Sequence, residues 1–422
     1  MGRTAVGQCL VAVSGRSEKP VRIKRPAYLF FNLEDRSFVD IAKFLRGELK
    51  TFATISLQAF LGSTGTAQPI TLDELRILAE APADRWIDAG ELISRLGLEP
   101  TAIDDLTARG LLLSDAGDPQ RTFFRRQDER LAANQWHPIA ALQFFAAADS
   151  SRYLDPALVQ DLLPEESRER FAAFIAKHGL PPPAFYALES SEARYSLPAG
   201  DGDGELYDLL LARRTCRRFE QSAALPLAPV ATLLRYAFGC HGTSELADGL
   251  TVLKRTSPSG GSMHPIEIFP LLLHVDSLPT GVYHYNAEHH ALDLLRRLEP
   301  DEARRTAAAL AGGQSYVGTA HAVFLLVARF LRNQWKYRRI ARTHNVILMD
   351  AAHLSQTFYL LAAKLELGAF FSAAIDVAKA EELLSFNSAE MGAVGMCGCG
   401  IPRFDEAGAT LERRPFVPRS GG

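Results

Sequence analysis

The sequence predicts an α+β protein whose C-terminal domain combines a mixed sheet with helices and whose N-terminal part contains a winged-helix-like module. After residue 204, strand patterns are outnumbered by helix patterns and do not alternate with them, which disfavours a doubly wound sheet. Between residues 70 and 115, three short amphipathic helix patterns run into a strand-like end. A stretch rich in proline and glycine, ending near residue 200, separates the two parts.

The composition is typical of a soluble, intracellular protein. The chain has 422 residues, of which 47% are hydrophobic, and its formal net charge of -3 disfavours general attraction to nucleic acid. The five cysteines lack the regular spacing of a disulfide scaffold, and uninterrupted apolar runs are too short to span a bilayer. We therefore expect a cytoplasmic protein of two or three domains with no nucleic-acid and no membrane partner.

The N-terminal region, residues 1 to 130, contains the winged-helix-like module at about 70 to 115. Thr71 and Asp88 stand where helix N-caps are expected, and Gly110 follows the third helix. That helix carries three acidic residues against one arginine, which a DNA backbone would repel. A peptide-recognising or purely structural role is therefore expected for the module.

Residues 131 to 200 are predicted to form a helical linker region, and residues 201 to 422 the main domain. The linker ends in "GLPPPAFYALESSEARYSLPAGDGDG", which interrupts both helix and strand. In the main domain the longest predicted helix begins at Thr343 as its N-cap and ends at Gly368. Its apolar residues lie on more than one face, which is typical of a helix in a core or a subunit interface.

Two segments of the main domain could bind a ligand. In "ARRTCRRF", residues 212 to 219, four arginines surround Thr215, and guanidinium groups suit a phosphate monoester, although a solvated surface gives the same pattern. In "PSGGSMHP", residues 258 to 265, paired glycines precede an apolar strand and would let a flat ligand lie against the backbone. Neither segment matches a Rossmann or P-loop motif.

The same segments resemble a known family. "ARRTCRRF" resembles the R-R-S-x-R-x-F motif of the FMN-dependent nitroreductase superfamily. "RTSPSGGSMHPIEIFPLLLHV" followed by "GVYHYNAEHHALDLLRR" is similar to its SagB-type branch, the azoline dehydrogenases. The resemblance covers residues 205 to 422. It implies a nitroreductase-like fold, a mixed antiparallel sheet flanked by helices, in an intertwined homodimer that binds FMN at the subunit interface.

The resemblance also implies roles for individual residues. The positions that match contacts to the FMN phosphate and ribityl chain are Arg213, Arg214, Thr215 and Arg217, with Arg414 as a further basic candidate. The turn that would lie against the flavin ring comprises Pro258, Ser259, Gly260, Gly261 and Ser262. The catalytic pair in "WKYRR" would be Lys336 and Tyr337. Without the resemblance, "KYRR" is typical of a solvated basic turn.

The implied function is the oxidation of thiazolines or oxazolines to azoles in a ribosomally synthesised precursor peptide, with a cyclodehydratase as a further partner. A base must take a proton while the flavin accepts a hydride and O2 later reoxidises it; Lys336, beside Arg338 and Arg339, and Tyr337 suit this chemistry. One alternative is a flavin reductase of dehydroamino acids or nitro compounds that uses NAD(P)H. The other is a non-catalytic scaffold that binds a leader peptide through residues 70 to 115.

Some features depart from the family or suggest other chemistry. The aromatic residue that follows the glycine turn in relatives is commonly Tyr, where this chain has His264, so substrate specificity is less well predicted than flavin binding. Cys397 and Cys399 have no second cysteine pair, and Asp350 with His353 offers too few ligands for a metal. We therefore expect no metal site.

Overall fold

The computed structural model describes residues 20–39, 46, 51–147, 164–185, 192, 193, 195, 197 and 202–403. The chain divides into two compact units, residues 1–129 and 130–422. The predicted division into three regions, with boundaries near 130 and 200, stays a prediction, because most residues between 186 and 201 lie outside the described part.

The first unit contains two small antiparallel sheets and short helices. Its strands are β1 (Arg22–Lys24), β2 (Leu29–Val39), β3 (Thr51–Leu61), β4 (Thr66–Pro69), β5 (Ile87–Asp88) and β6 (Leu113–Ser114). Its helices are α1 (Leu72–Glu80), α2 (Ala89–Leu96) and α3 (Pro100–Ala108), and α4 (Pro119–Ala133) begins in this unit. The strand orders are β2-β3-β4 and β5-β1-β6.

The three predicted helices of the 70 to 115 module are confirmed, together with their caps. The Thr71 side chain accepts a hydrogen bond from the Glu74 N–H while the Glu74 carboxylate accepts one from Thr71, which forms a capping box. Asp88 caps α2, and Gly110 adopts a left-handed φ of +74° after α3. β1, which precedes the module, pairs with both of its short strands, so the winged-helix assignment stays a prediction.

The second unit is built on one six-stranded sheet. Its strands are β7 (Gly242–Ala247), β8 (Leu250–Lys254), β9 (Ile266–Leu272), β10 (Gly281–Asn286), β11 (Ala291–Arg297), β12 (Ala322–Arg329), β13 (Gly368–Ser372) and β14 (Met391–Gly400). The sheet has the order β11-β10-β9-β12-β14-β13 with every neighbouring pair antiparallel, and β7 and β8 form a separate hairpin.

The described part of this unit also contains helices. They are α5 (Pro138–Ala146), α6 (Pro164–His178), α7 (Glu205–Ala212), α8 (Leu227–Leu233), α9 (Pro300–Leu310), α10 (Phe330–Tyr337), α11 (Thr343–Lys364) and α12 (Val377–Leu384). A π-helical turn, Leu234–Phe238, continues α8. The predicted α+β fold, a mixed antiparallel sheet flanked by helices, is therefore confirmed.

The centre of the sheet is the core of the second unit. Every residue of β12 except Arg329 is buried, and β12 lies between β9 and β14. The small residues of β14 leave room for aromatic side chains: a Cβ at Gly398 would overlap the Phe370 ring, which belongs to the neighbouring strand β13. Glycine is therefore required at this position by packing on the sheet surface.

The long helix α11 differs from the prediction at both ends. Its N-cap is Arg342, and Thr343 is instead the first helical residue, buried with its hydroxyl unpaired. The helix ends at Lys364, the chain turns through Glu366 with a φ of +58°, and Gly368 begins β13. The predicted N-cap and the predicted stop were wrong because a single residue's capping preference is weaker than the surrounding packing.

One face of α11 packs on β9, β13 and β14, while Leu348 and Met349 are exposed on another face. Among the described residues, α11 is also the single helix long and apolar enough to cross a membrane. Core helices often satisfy the same criteria of length and composition, so its packing against the sheet identifies it as a core helix.

An aromatic cluster joins the segment after α4 to the main sheet. The Trp136 ring lies 4.6 Å from the Phe330 ring between centroids, and its indole N–H donates to the Ala389 carbonyl at 2.8 Å. Phe144 packs edge-on against His344, with 5.4 Å between ring centroids. Burial among these rings lowers the pKa of His344 to about 4.

The buried imidazole makes stability depend on pH. A histidine whose pKa is lower in the folded protein stabilises the fold fully above its unfolded pKa of about 6.5, and this stability is lost as the pH falls towards 4. His344→Leu should therefore reduce the stability difference between pH 7 and pH 5 by about 2 kcal/mol. Urea unfolding at the two pH values measures this. His353→Gln, which changes an exposed histidine of the same helix, is the control, and an unchanged difference in His344→Leu would contradict the prediction.

Candidate active site

The glycine turn between β8 and β9 has an unusual backbone. Residues Gly260–Ser262 form a single 3-10 turn, and Gly261 has a φ of +63°. Two non-glycine residues also adopt positive φ, Ser262 at 61° and His264 at 45°. Such conformations are uncommon outside glycine and often occur at functional sites, where the surrounding contacts hold them in place.

The predicted catalytic pair lies beside this turn. Lys336 and Tyr337 are at the C-terminal end of α10, and the Lys336 Nζ donates to the Gly261 carbonyl at 3.2 Å. A Cβ placed on Gly261 would lie 2.6 Å from the Lys336 Nζ and 2.6 Å from the Tyr337 Oη. The structure therefore brings Gly261, Lys336 and Tyr337 together, although 75 residues separate Gly261 from Lys336.

Both glycines of the turn have neighbours in the space that a side chain would need. A Cβ at Gly260 would overlap the Val346 side chain of α11, and a Cβ at Gly261 would overlap the catalytic pair. The sequence explained these glycines by the approach of a flat ligand. The structure adds a packing reason for each, because two helices approach the turn closely here.

The arginine segment follows α7 and contacts two tyrosines. The Thr215 hydroxyl is hydrogen-bonded to the Tyr359 hydroxyl at 3.1 Å, and the Tyr359 oxygen also accepts from the Phe371 N–H at 2.9 Å. The Arg213 guanidinium lies 5.3 Å from the centroid of the Tyr359 ring. Arg217 lies 5.5 Å from the ring of Tyr316.

A cavity of about 690 Å³ opens beside this segment, which is within the range of small-molecule sites. Arg214, Tyr359 and the backbone around Gly368 line it. Cationic, hydroxyl and backbone groups around one cavity are a donor set that suits a phosphate group. Arg214 is the one cationic residue of this lining and could contact the phosphate end of a flavin mononucleotide, whereas Glu366, which also lines the cavity, carries a charge that repels phosphate.

The two predicted segments, the glycine turn and the arginine segment, contact α11 at different places along the helix. Val346 and Asp350 contact the glycine turn, and Tyr359 contacts the arginine segment. Nine residues separate Asp350 from Tyr359, a rise of about 13 Å along a helix. Arg414 lies outside the described residues, so its role stays a prediction.

The residue that departs from the family, His264, lies in a small cavity with Pro258, Ser259 and Arg255. Burial, and secondarily the charge of Arg255, lower the pKa of His264 to about 4. Burial also lowers the pKa of the Arg255 guanidinium. His264 is therefore neutral near pH 7 and can offer a donor or an acceptor rather than a charge.

Asp350 and Tyr359 were not identified as site residues from the sequence. Asp350 was considered only as a metal ligand with His353, but the Asp350 carboxylate bonds to the glycine turn whereas His353 is exposed. The available signal was that Asp350 is the one acidic residue of a long core helix, because buried charges are rare without partners. Nothing in the sequence distinguished Tyr359 from core aromatic residues.

In the part of the chain that the structure describes, no group of three or more His, Cys, Asp or Glu side chains could hold a metal ion. Cys397 and Cys399 are fully buried, and burial raises the pKa of the Cys399 thiol to about 12. A metal would require the thiolate, so this environment disfavours ligation.

Comparison with known proteins finds one matching family and two similar curated proteins. Residues 210–401 match the profile of the nitroreductase family. The chain is 28% identical over 215 residues to the trifolitoxin-processing protein TfxB of Rhizobium leguminosarum bv. trifolii, a match that covers 46% of this chain and 52% of that protein. It is 29% identical over 164 residues to MJ1384 of Methanocaldococcus jannaschii, which carries the nitroreductase name, covering 39% of this chain and 76% of that protein.

Solved structures give weaker likenesses. A nitroreductase-named protein of Ralstonia eutropha is 24% identical, with a TM-score of 0.38 and coverage of 50% of this chain and 89% of that chain. The Escherichia coli microcin synthetase McbBCD complex with truncated pro-MccB17 includes a chain that is 18% identical, with a TM-score of 0.42 and coverage of 60% and 96%. At such TM-scores these likenesses carry no functional conclusion.

The match with TfxB spans about half of that protein's length, so the activity of the whole relative does not transfer to this chain directly. The family profile and the two curated relatives nevertheless agree with each other and with the motifs, so the predicted resemblance is confirmed. Residues 210–401 match the nitroreductase family, and the similarity to TfxB supports the predicted resemblance to its SagB-type branch.

Proposed function

We propose that the protein is an FMN-dependent dehydrogenase that oxidises azoline rings to azoles in a ribosomally synthesised precursor peptide. The observation that carries this proposal is the contact of Lys336 and Tyr337 with Gly261, which puts two groups capable of proton transfer beside the proposed flavin-binding turn. The family assignment supports an oxidoreductase, and the name of TfxB, a trifolitoxin-processing protein, supports a peptide substrate.

The cofactor would be held at two ends. The phosphate and ribityl chain would contact Arg213, Arg214, Thr215 and Arg217, with Arg414 as a further candidate. The ring would lie against the turn made by Pro258, Ser259, Gly260, Gly261 and Ser262. When bound, FMN would accept the hydride that leaves the ring methylene of the azoline, and O2 would reoxidise it.

Lys336 and Tyr337 would carry out the proton transfer. The Lys336 Nζ takes the proton from the azoline α-carbon, so that the electron pair of that C–H bond becomes the new ring double bond. The Tyr337 hydroxyl, beside the same Gly261, relays the proton or donates a hydrogen bond to the azoline ring. Lys336 is exposed in the single chain, so bound substrate or a second subunit must exclude water for it to act as a base.

The proposal includes a homodimer. Two neighbouring helices, α7 and α11, expose apolar side chains that a monomer would leave in water; these are Leu206, Leu210, Leu211, Leu348 and Met349. A second copy of the chain would cover them and could complete the site. A cyclodehydratase partner and a cytoplasmic location belong to the same proposal, and the four described cysteines are free, as a reducing compartment requires.

A charged substitution in the proposed interface tests whether the protein is a dimer. Met349 is 53% exposed on α11, and Met349→Lys would place an ammonium group in the proposed apolar interface. We expect wild-type protein to sediment as a dimer and Met349→Lys to shift towards the monomer. Leu295→Lys, at a leucine 52% exposed on β11, is the matched control and should remain dimeric. A wild-type monomer in sedimentation velocity would contradict the proposed interface.

The catalytic assignment can be tested by mass spectrometry. An azoline-containing peptide incubated in air with the FMN-loaded protein should lose two hydrogen atoms per ring. Lys336→Ala should slow this loss about a thousandfold, the contribution expected of a general base, while FMN stays bound. Lys379→Ala, an exposed lysine paired with Asp376, is the control and should retain activity.

The outcome also separates the alternative functions. Turnover by Lys336→Ala at the wild-type rate would remove Lys336 from the mechanism. Reduction of a nitro compound or a dehydroamino acid with NAD(P)H, without azoline oxidation, would favour the reductase. Protein that cannot be loaded with FMN would exclude both enzymes and favour a leader-binding scaffold.

A further inference from the structure

A buried carboxylate of α11, Asp350, forms hydrogen bonds with the glycine turn. We propose that Asp350 is a positioning residue that holds the turn in its ligand-binding conformation before any cofactor arrives. The consequence for FMN rests on the proposed function, whereas the effect on the turn itself does not. Asp350 does not contact the catalytic pair, so its action would pass through the backbone of the turn.

The contacts of Asp350 are specific. Its side chain is buried, with 4% exposure, and its two oxygens bind two different donors. Oδ2 accepts from the Ser259 hydroxyl at 2.6 Å, and Oδ1 accepts from the Gly260 N–H at 3.0 Å. A carboxylate has acceptors only, so it matches two donors better than any neutral side chain of similar size.

Ser259 connects the Asp350 carboxylate to the last residue of the turn. While its hydroxyl donates to Asp350, its oxygen accepts from the His264 N–H at 2.9 Å. The three hydrogen bonds connect the first and last residues of the 259–264 segment to the same helix. A serine is suited to this role because a hydroxyl can donate and accept at once.

The backbone conformation of the turn needs hydrogen bonds that stabilise it. Gly261, Ser262 and His264 all have positive φ, and the last two carry side chains that disfavour this region. Without Asp350 the segment would lose the two hydrogen bonds that tie Ser259 and Gly260 to α11, which would favour its relaxation towards ordinary conformations. The buried carboxylate therefore stabilises backbone conformations that the residues of the turn would otherwise disfavour.

On its other side the turn is held by α10. The Lys336 Nζ donates to the Gly261 carbonyl, and the Arg332 Nε donates to the Met263 carbonyl at 3.0 Å. Lys336 and Arg332 are one helical turn apart on α10, so a displaced turn would also lose contact with the catalytic lysine. Asp350 thus positions the proposed ring-binding surface and the group that faces it.

Hydrogen exchange of the protein without FMN directly tests whether Asp350 holds the turn. In Asp350→Ala, which leaves the Ser259 hydroxyl and the Gly260 N–H without their acceptor, a peptide covering residues 259–264 should exchange about tenfold faster than in wild type. Asp350→Asn should be intermediate, because its amide oxygen can still accept from Gly260. The control is Asp376→Ala, which removes a carboxylate of 9% exposure that caps α12 far along the chain from the turn.

FMN affinity gives the second measurement. Asp350→Ala should raise the Kd for FMN about tenfold, because the turn must be ordered when the cofactor binds. Asp376→Ala should leave the Kd unchanged, and Asp350→Asn should recover part of the loss. This pattern separates positioning from a general loss of stability, which both alanine variants would share.

Several outcomes would overturn the proposal. Equal exchange of residues 259–264 in Asp350→Ala and Asp376→Ala would show that Asp350 does not hold the turn. If Asp350→Ala does not fold, Ser259→Ala is the alternative variant, because it removes the hydroxyl that joins Asp350 to His264. Unchanged exchange of residues 259–264 in Ser259→Ala would also contradict the proposal. Failure of wild-type protein to bind FMN would overturn the proposed function, while the exchange experiment would still decide the role of Asp350.

Discussion

The candidate site depends on one close approach, that of the end of α10 to the backbone of Gly261. A Cβ at this position would lie 2.6 Å from both the Lys336 Nζ and the Tyr337 Oη, so a side chain here would displace the tips of both groups. α10 is in turn held by Phe330, which is fully buried against Trp136 and Phe144. A glycine in a left-handed conformation and an aromatic cluster therefore set the position of the two groups that could carry the chemistry.

The long helix α11 organises the rest of the site. Its N-terminal half supplies Val346 and Asp350 to the glycine turn, Thr357 bonds to the Ser257 hydroxyl at 2.6 Å, and Tyr359 supports the arginine segment. About four turns of one helix thus contact both sequence segments that resemble the family motifs. A rigid helix can keep the phosphate-binding and ring-binding parts of a site at a constant spacing, which preorganises the binding of an extended ligand.

Much of the fold was predictable where the determinants are local. Thr71 and Asp88 cap the helices as expected. The motifs also located Lys336 beside the glycine turn. What the sequence did not indicate depends on distant contacts: α10 is short and gains its position from Phe330, and Asp350 has meaning only beside Ser259 and Gly260.

The glycine turn has two neighbours with separate roles, Asp350 of α11 and the Lys336–Tyr337 pair of α10, and a flavin ring is its proposed ligand. His264, neutral and half-buried at the end of the turn, stands where the family resemblance leads us to expect a tyrosine. A crystal structure of the FMN-loaded protein tests the central claim most directly. We expect the flavin ring against residues 258–262 and the phosphate at Arg213 and Arg214; a ring bound elsewhere, with the glycine turn free of ligand, would contradict the account.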